Sequence, residues 1–130
     1  MDLSDWNAGP KPYDLRERLF IYACHIVRIT QFLQPRGPVA KVLSYQVLKS
    51  GTSAGANFEE ADDGSSSRDR LAKIKIVLRE LKETKFRLRV LRQCELLTES
   101  QDPVIKETTE LVKIVATIIR NATPPNPGED

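Results

Sequence analysis

Five basic side chains recur at helical spacing in the middle of the chain and form the plainest candidate for binding chemistry. They are Arg68, Lys75, Arg79, Lys82 and Arg89. At about 100° per residue these side chains share one helix face, with Phe86, Val90 and Leu97 in or beside the row. Such cations can follow the phosphates of a nucleic acid. A solvated helix face and a protein interface in which arginine is favoured remain alternatives.

A second candidate is a polar row one helix earlier, which lies beside an apolar stripe. The row consists of Gln46, Ser50, Ser53 and Asn57, and the stripe of Val39, Leu43, Val47, Ala54 and Ala61. Buried polar groups need hydrogen-bond partners. We therefore expect the polar row to face the third helix or a neighbouring subunit, with Lys82, Glu83 and Thr84 as the first candidate partners.

Two glycines, Gly51 and Gly55, lie one helical turn apart within the same stretch. Each costs roughly 1 kcal/mol relative to alanine in a helix interior. The close approach of another helix is the simplest compensation for that cost. The Ser-Gly-Thr composition of residues 50–55 also suits a loop between two short helices, and local propensity leaves that alternative open.

Catalytic and metal-binding patterns are missing from the sequence. It contains no Gly-rich phosphate loop, Cys-x-x-Cys or His-Glu-x-x-His. Carboxylates such as Glu60 and Glu80 raise the alternative of a di-iron bundle, but that site needs Glu-x-x-His on facing helices, and His25 is the only histidine. We expect His25 to be structural, and the protein to be non-enzymatic with no cofactor and no metal.

The elements that must position these rows are four helices. The first should begin at an Asp14 cap and run to about Leu33. Besides its main apolar stripe, this helix carries a second apolar set, which consists of Phe20, Ile21, Val27 and Phe32. A second apolar face indicates contact with another subunit. The second helix contains the polar row. Ser65 or Ser66 should cap the third, which is expected to reach Leu97.

The third helix also carries an apolar seam with alternating spacings of three and four, and a fourth helix follows it. The seam is typical of a left-handed bundle: Ile74, Val77, Leu81, Thr84, Leu88 and Leu91. The fourth helix should be capped by Asp102, with Pro103 in its first turn. Short connections make consecutive helices antiparallel, so the sequence predicts an all-α, up-down-up-down four-helix bundle.

Composition indicates one domain at residues 13–122, between a flexible N-terminal arm (1–12) and a disordered tail (123–130). Two cysteines are too few for a disulfide framework, although a single Cys24–Cys94 bridge is a less favoured alternative. No signal peptide or membrane-spanning run is present, so we expect a cytoplasmic protein without membrane contact. The formal net charge is only +2.

The polar row resembles the signature of the four-helix-bundle proteins, also called 23S ribosomal RNA intervening-sequence proteins. Their pattern is close to Gln-x-x-Arg/Lys-Ser-x-x-Ser-x-x-x-Asn-x-x-Glu-Ala. It is matched here by Gln46, Lys49, Ser50, Ser53, Asn57, Glu60 and Ala61. Tyr13-Asp14-Leu15, Ser66-x-x-Asp69 and Leu81-Lys82-Glu83-Thr84 extend the similarity over about residues 13–122. The resemblance favours a continuous second helix over the loop alternative.

The resemblance implies a ring-shaped homo-oligomer, with a homopentamer as the expected form. It also implies association with RNA or, as in the related accessory proteins of diversity-generating retroelements, with a reverse transcriptase and nucleic acid. Arg70 and Phe86-Arg87-Leu88 stand where family members often carry aromatic residues, which makes the third helix more basic. We expect a non-enzymatic, nucleic-acid-associated oligomer. The alternative is an interaction scaffold that recruits an acidic protein such as a reverse transcriptase.

Overall fold

Four α-helices make up most of the described chain, which the computed structural model gives as residues 14–63 and 66–123. They are α1 (Leu15–Leu33), α2 (Pro38–Asp62), α3 (Ser67–Gln93) and α4 (Asp102–Ala122). Short 3₁₀ turns, Gln34–Arg36 and Glu99–Gln101, precede α2 and α4. No strand occurs within the two described ranges. The predicted all-α class is confirmed, and the helices are consistent with a four-helix bundle.

Some sequence predictions fall on residues that are not described. The proposed arm at residues 1–12, Tyr13, Ser65 and residues 124–130 of the proposed tail all lie outside the described ranges. Thr123 is described and follows α4 directly, where its backbone N–H donates to the Ile119 carbonyl at 3.0 Å. Among the described helices, none is both long enough and apolar enough to cross a membrane.

Side-chain caps fix the starts of α1 and α3 as the sequence predicts. The Asp14 carboxylate accepts from the Glu17 backbone N–H at 3.2 Å, and the Ser66 hydroxyl accepts from the Asp69 backbone N–H at the same distance. Both bonds satisfy a backbone donor that has no intrahelical partner. The predicted Asp102 cap is wrong, because Asp102 is already the first residue of α4 and Gln101 is its N-cap.

The C-terminus of α3 also differs from the prediction. The helix ends at Gln93, four residues before Leu97, because Glu95 adopts a left-handed conformation with φ of 63°. The Glu95 and Leu96 backbone N–H groups then donate to the Arg92 and Leu91 carbonyls, at 3.2 and 2.9 Å. This is the Schellman pattern of hydrogen bonds that closes a helix. Leu97 is therefore buried in the core and does not extend the outer face of α3.

The second helix is continuous from Pro38 to Asp62, which excludes a loop at residues 50–55. Its inward face lies slightly off the predicted stripe. Val39 is 65% exposed, whereas Ala40 is buried, so the assignment of Val39 to the core is wrong. Val47, Ala54 and Ala61 are buried as predicted. Every residue of the α3 seam is buried. Burial of its apolar side chains contributes to the stability of the bundle.

Contacts between named residues fix the direction of the first three helices. Gly51 and Gly55 of α2 lie against Ile26 and Leu19 of α1, so α1 and α2 run antiparallel. In the next pair, Lys73 of α3 contacts Glu60 near the end of α2, and Thr84 contacts Ser50 near its middle. The order of these contacts makes α2 and α3 antiparallel as well. Gly51 and Gly55 thus pack against α1 of the same chain, so they are not available for contact with a second copy.

Three members of the second apolar set of α1 lie on the outside of the single chain, and the fourth, Ile21, is half-buried. Phe20 is 49% exposed, Phe32 38% and Val27 37%. Three more large apolar side chains, Val39, Val42 and Tyr45, are exposed on the first half of α2. Their exposure leaves open the sequence-based expectation that a further subunit covers them.

Candidate functional site

The basic row occupies the outer face of α3. All five of its members, Arg68, Lys75, Arg79, Lys82 and Arg89, are exposed. This orientation follows from the seam, because burying Ile74, Val77 and Leu81 turns the opposite side of the helix towards water. From Arg68 to Arg89 the row extends about 31 Å at 1.5 Å per residue. It therefore presents a line of positive charge along most of the helix.

Most of these cations are not neutralised by neighbours. Arg79 pairs with Glu80 at 3.4 Å, and both Lys73 and Arg87 of the same helix pair with glutamates, Glu60 and Glu83. Within residues 14–63 and 66–123, the other four cations of the row make no ion pair; these are Arg68, Lys75, Lys82 and Arg89. The charge of these four side chains is therefore not offset by an ion pair within the described chain.

An aromatic ring interrupts the row. Phe86 is 63% exposed and lies on the same helical face, between Lys82 and Arg89. Beside it is an open hollow of about 310 Å³, lined by Phe86, Arg89, Val90, Gln93 and Cys94. Single exposed apolar side chains are common on protein surfaces, so the feature of interest at Phe86 is its place on the cationic face beside this hollow.

The polar row on α2 has two kinds of environment. Ser50 is buried, and its hydroxyl is 2.7 Å from the Thr84 hydroxyl of α3. Asn57 instead donates to the Ser53 carbonyl of its own helix at 2.9 Å. Gln46 is exposed and Ser53 is half-buried. The expected contact with α3 therefore exists at Ser50, with Thr84 as its partner, while the structure shows Asn57 bonded within α2.

Glu60 and Gln46 lie at the edges of the α2–α3 contact. The Glu60 carboxylate accepts from the Lys73 ammonium group at 3.1 Å, near the end of α2. Nearer the middle of the helix, a cleft of about 250 Å³ opens between α2 and α3. Its lining is Gln46, Lys49, Ser50, Glu80, Glu83 and Arg87. Two of these residues are cationic and two are acidic, so the formal charges of the lining cancel.

The two glycines make close contacts with α1. A Cβ atom at Gly51 would lie 2.8 Å from Cγ2 of Ile26. At Gly55 it would lie 3.5 Å from the Leu19 carbonyl oxygen, an ordinary van der Waals distance. Gly51 is thus the position where a side chain would obstruct helix packing. Both glycines belong to the interior of the chain and contribute nothing to the exposed basic row.

Groups suited to catalysis are scattered. Within the described ranges no three His, Cys, Asp or Glu side chains come together in a metal-binding arrangement. His25 is packed inside the bundle, at 1% exposure. Both cysteines are free thiols, with Cys24 half-buried in α1 and Cys94 exposed at the end of α3, so the structure contains no Cys24–Cys94 bridge.

A buried polar contact between α1 and α4 was missed by sequence reasoning. The Arg18 guanidinium donates twice to the Glu107 carboxylate, both at 2.6 Å, and the Tyr22 and Thr108 hydroxyls are 2.7 Å apart. The hydrogen bond to Glu107 raises the pKa of Arg18, and burial raises the pKa of Tyr22. The available signal was Glu107-Thr108, which lies at helical spacing between the buried Val104 and Leu111 of α4. This contact is structural and lies away from the basic row.

Comparisons with known proteins agree with the helical architecture. A family model described as 23S rRNA-intervening sequence protein matches residues 14–117. Among solved structures, the chain is similar to a protein of unknown function from the S23 ribosomal protein family of Bacteroides thetaiotaomicron, with a TM-score of 0.75 and 32% identity. That similarity covers 82% of this chain and 98% of the other. A search of curated proteins gave no match. This chain therefore belongs to the 23S rRNA-intervening sequence protein family.

Proposed function

We propose that this protein is a non-enzymatic, homo-oligomeric binding protein that associates with RNA or DNA through the basic row of α3. The observation that carries the proposal is the line of exposed cations, of which Arg68, Lys75, Lys82 and Arg89 make no ion pair with described residues. The family name, which refers to ribosomal RNA, supports the same class of partner. A cytoplasmic location is part of the proposal, since free thiols are the usual state of cysteine in that compartment.

The mechanism of binding would be electrostatic. Each cation that contacts a phosphate releases a condensed counterion, so affinity falls as salt rises. If the five cations of the row each neutralise one phosphate, log affinity for duplex DNA should fall with log salt at a slope of roughly −4.5. No base-specific contact is needed for this mode of binding. It suits a protein that recognises nucleic acid by its backbone.

Oligomerisation would strengthen such binding. In a closed ring of identical subunits, five-fold in our proposal, the row of α3 would be repeated around the assembly. Several weak contacts on one long nucleic acid then act together, because each contact after the first is intramolecular. The exposed apolar set of α1, which contains Phe20, Val27 and Phe32, supports the assembly.

A charge-reversal experiment tests the basic row. The variant is Lys82→Glu with Arg89→Glu, because neither cation is paired in the described chain. Its matched control is Lys106→Glu with Arg120→Glu, two exposed cations on α4 that make no ion pair within the described chain and change the net charge equally. Gel-shift titration at several salt concentrations should show affinity lost in the α3 variant and largely kept in the control. Light scattering on both variants checks that the oligomer is unchanged.

An interaction scaffold for an acidic protein, such as a reverse transcriptase, is the second candidate. The apolar Phe86 and half-buried Val90 among the cations favour it, because protein interfaces combine arginine with covered apolar groups.

If the parent binds neither RNA nor DNA at low salt, the nucleic-acid proposal is wrong. An equal loss of affinity in the α3 and α4 variants would mean that binding depends only on net charge. The basic row would then not be the binding site.

A further inference from the structure

We infer that Phe86 is a base-stacking platform at the centre of the basic row, which makes the protein selective for single-stranded over duplex nucleic acid. This inference rests on the proposed function and specifies its ligand. The ring of Phe86 is 63% exposed, with Lys82 one helical turn before it and Arg89 one turn after it. At 1.5 Å per residue the two cations lie about 6 and 4.5 Å from Phe86 along the helix axis.

The position of Phe86 sets it apart from the other exposed apolar side chains. The remaining six, Phe20, Val27, Phe32, Val39, Val42 and Tyr45, all lie on α1 and α2. Phe86 is thus the single large exposed apolar side chain on the described part of α3. Lys82 and Arg89 flank it on the adjacent turns, beside Glu83 and Val90, and it does not extend the apolar set that we assign to subunit contact.

The chemistry around the ring suits an unpaired base. An aromatic face stacks on any base, and a cation on each side can hold the phosphates that flank the stacked nucleotide. The hollow of about 310 Å³ beside the ring adds the Gln93 side chain, whose amide both donates and accepts, and the Arg89 guanidinium. Arginine also stacks on bases through its planar group. Together these groups form a nucleotide-sized site on one helix face.

Duplex nucleic acid cannot use this platform. In a base-paired helix the faces of the bases are covered by their neighbours, and only unstacked bases can lie on an aromatic side chain. A protruding ring between Lys82 and Arg89 therefore adds binding energy with a single strand and none with a duplex. The cations remain available to both, so duplex binding should persist at a weaker, purely electrostatic level.

Substitutions at Phe86 separate stacking from charge. Fluorescence anisotropy would compare one labelled oligonucleotide as a single strand and as a duplex, for the oligomeric full-length protein. Phe86→Ala and Phe86→Leu should each weaken single-strand binding about 5- to 150-fold, the range that stacking of one base supplies. Leucine is the matched control for apolar character without an aromatic face. Phe86→Tyr should keep single-strand affinity near the parent value, and duplex affinity should stay within about twofold in all variants.

A spectroscopic variant reports the contact directly. Trp6 is the only tryptophan, so Phe86→Trp in a Trp6→Phe background places the sole indole on the row. Single-stranded oligonucleotide should quench its emission, while an equal concentration of the duplex should quench it much less. Quenching by an acidic peptide at the same ionic strength, without quenching by the single strand, would overturn the inference in favour of a protein ligand.

The remaining outcomes separate this inference from the proposed function. If Phe86→Ala binds the single strand as tightly as the parent while Lys82→Glu with Arg89→Glu loses it, the platform is wrong and the basic row stands. If the parent binds neither form, both proposals fall. A changed oligomer mass in Phe86→Ala would assign the ring to a subunit contact and would also overturn the inference.

Discussion

Gly51 and Gly55 occupy equivalent positions on successive turns of α2 but differ in the space available to a side chain. At Gly51 a Cβ would approach Ile26 Cγ1 and Cγ2 at 2.9 and 2.8 Å, and Ile26 is fully buried. A β-branched side chain in a helix has almost no alternative rotamer, so Ile26 cannot move aside. At Gly55 the nearest atom would be 3.5 Å away. Only the first position depends on the absence of a side chain.

Alanine substitutions should therefore have opposite effects at the two glycines. Gly51→Ala should lower the free energy of unfolding by about 1–3 kcal/mol, because it overpacks the α1–α2 contact. Gly55→Ala should raise it by up to about 1 kcal/mol, the gain in helix propensity. Urea denaturation of both variants measures the difference, with each glycine as the control for the other. Equal destabilisation would contradict this account of the packing.

Tyr22 makes stability depend on pH in the alkaline range. Burial raises its pKa in the folded state above the ordinary value of about 10. Below pH 10 both states hold the proton, and the contribution of Tyr22 is fully present. Above pH 10 the unfolded chain loses its proton first, so stability falls as pH rises, by up to roughly 1.4 kcal/mol per pH unit.

Tyr22→Phe should remove that dependence. At neutral pH the variant should lose about 1 kcal/mol, because the hydrogen bond to Thr108 is gone. Above pH 10 its free energy of unfolding should fall less steeply than that of the parent, as measured by urea titrations at a series of pH values. Tyr45→Phe, which removes the hydroxyl of a half-exposed tyrosine on α2, is the control. Parallel pH profiles for parent and Tyr22→Phe would rule out this role.

At the scale of an element, α3 ends without the glycine that usually marks a helix C-terminus in a sequence. Its terminating residue, Glu95, has φ of 63°, a conformation that costs most residues other than glycine about 1–2 kcal/mol. The hydrogen bonds from Glu95 and Leu96 to the last turn, together with the burial of Leu97, hold the residue there. The cost of the left-handed conformation is therefore offset by tertiary packing.

Glu95→Gly should stabilise the protein by about 1 kcal/mol, because glycine adopts the left-handed conformation without strain. The matched control is Ala72→Gly, an exposed position inside α3, which should destabilise by a similar amount. Thermal unfolding followed by circular dichroism would measure both. A melting temperature that falls in Glu95→Gly would mean that the Glu95 side chain stabilises the turn by contacts that outweigh the strain.

For the whole molecule, the exposed apolar side chains of α1 and of the first half of α2 are apolar surface that a single chain leaves uncovered. Phe20, Val27 and Phe32 are each more than one-third exposed on one helix, and exposed apolar surface is a common feature of association sites. Covering them against another copy would bury apolar surface at about 25 cal/mol per Å². The basic row lies on a different helix, so both surfaces can act at once.

Light scattering at micromolar concentration should report a mass several times 14.7 kDa. Phe20→Glu should reduce that mass, because a charge in the interface would lose its water without gaining a partner. Phe86→Glu makes the same chemical change on α3 and should leave the mass unchanged. If the parent is a monomer, the oligomer proposal is wrong. If only Phe86→Glu dissociates the oligomer, the interface lies on α3 and not on α1.

The sequence by itself determined the all-α class, the starts of α1 and α3 and the buried face of α3, because those signals are local. Hydrophobic periodicity marks the buried seam of α3, and the Asp14 and Ser66 caps act within three residues of the chain. The exposure of the basic row followed from the same periodicity, since a face opposite a buried seam must meet water. The match of Gln46 through Ala61 to a known signature indicated the family.

Only the tertiary structure decided which neighbours each face meets. That Gly51 packs on Ile26 and not on a second copy, that Ser50 bonds Thr84, and that Leu97 is buried are contacts between distant segments. The Arg18–Glu107 pair, 89 residues apart in the chain, is the extreme case. Such contacts depend on how whole helices are rotated and shifted against each other. Local patterns do not encode that geometry, because several rotations bury the same amount of apolar surface.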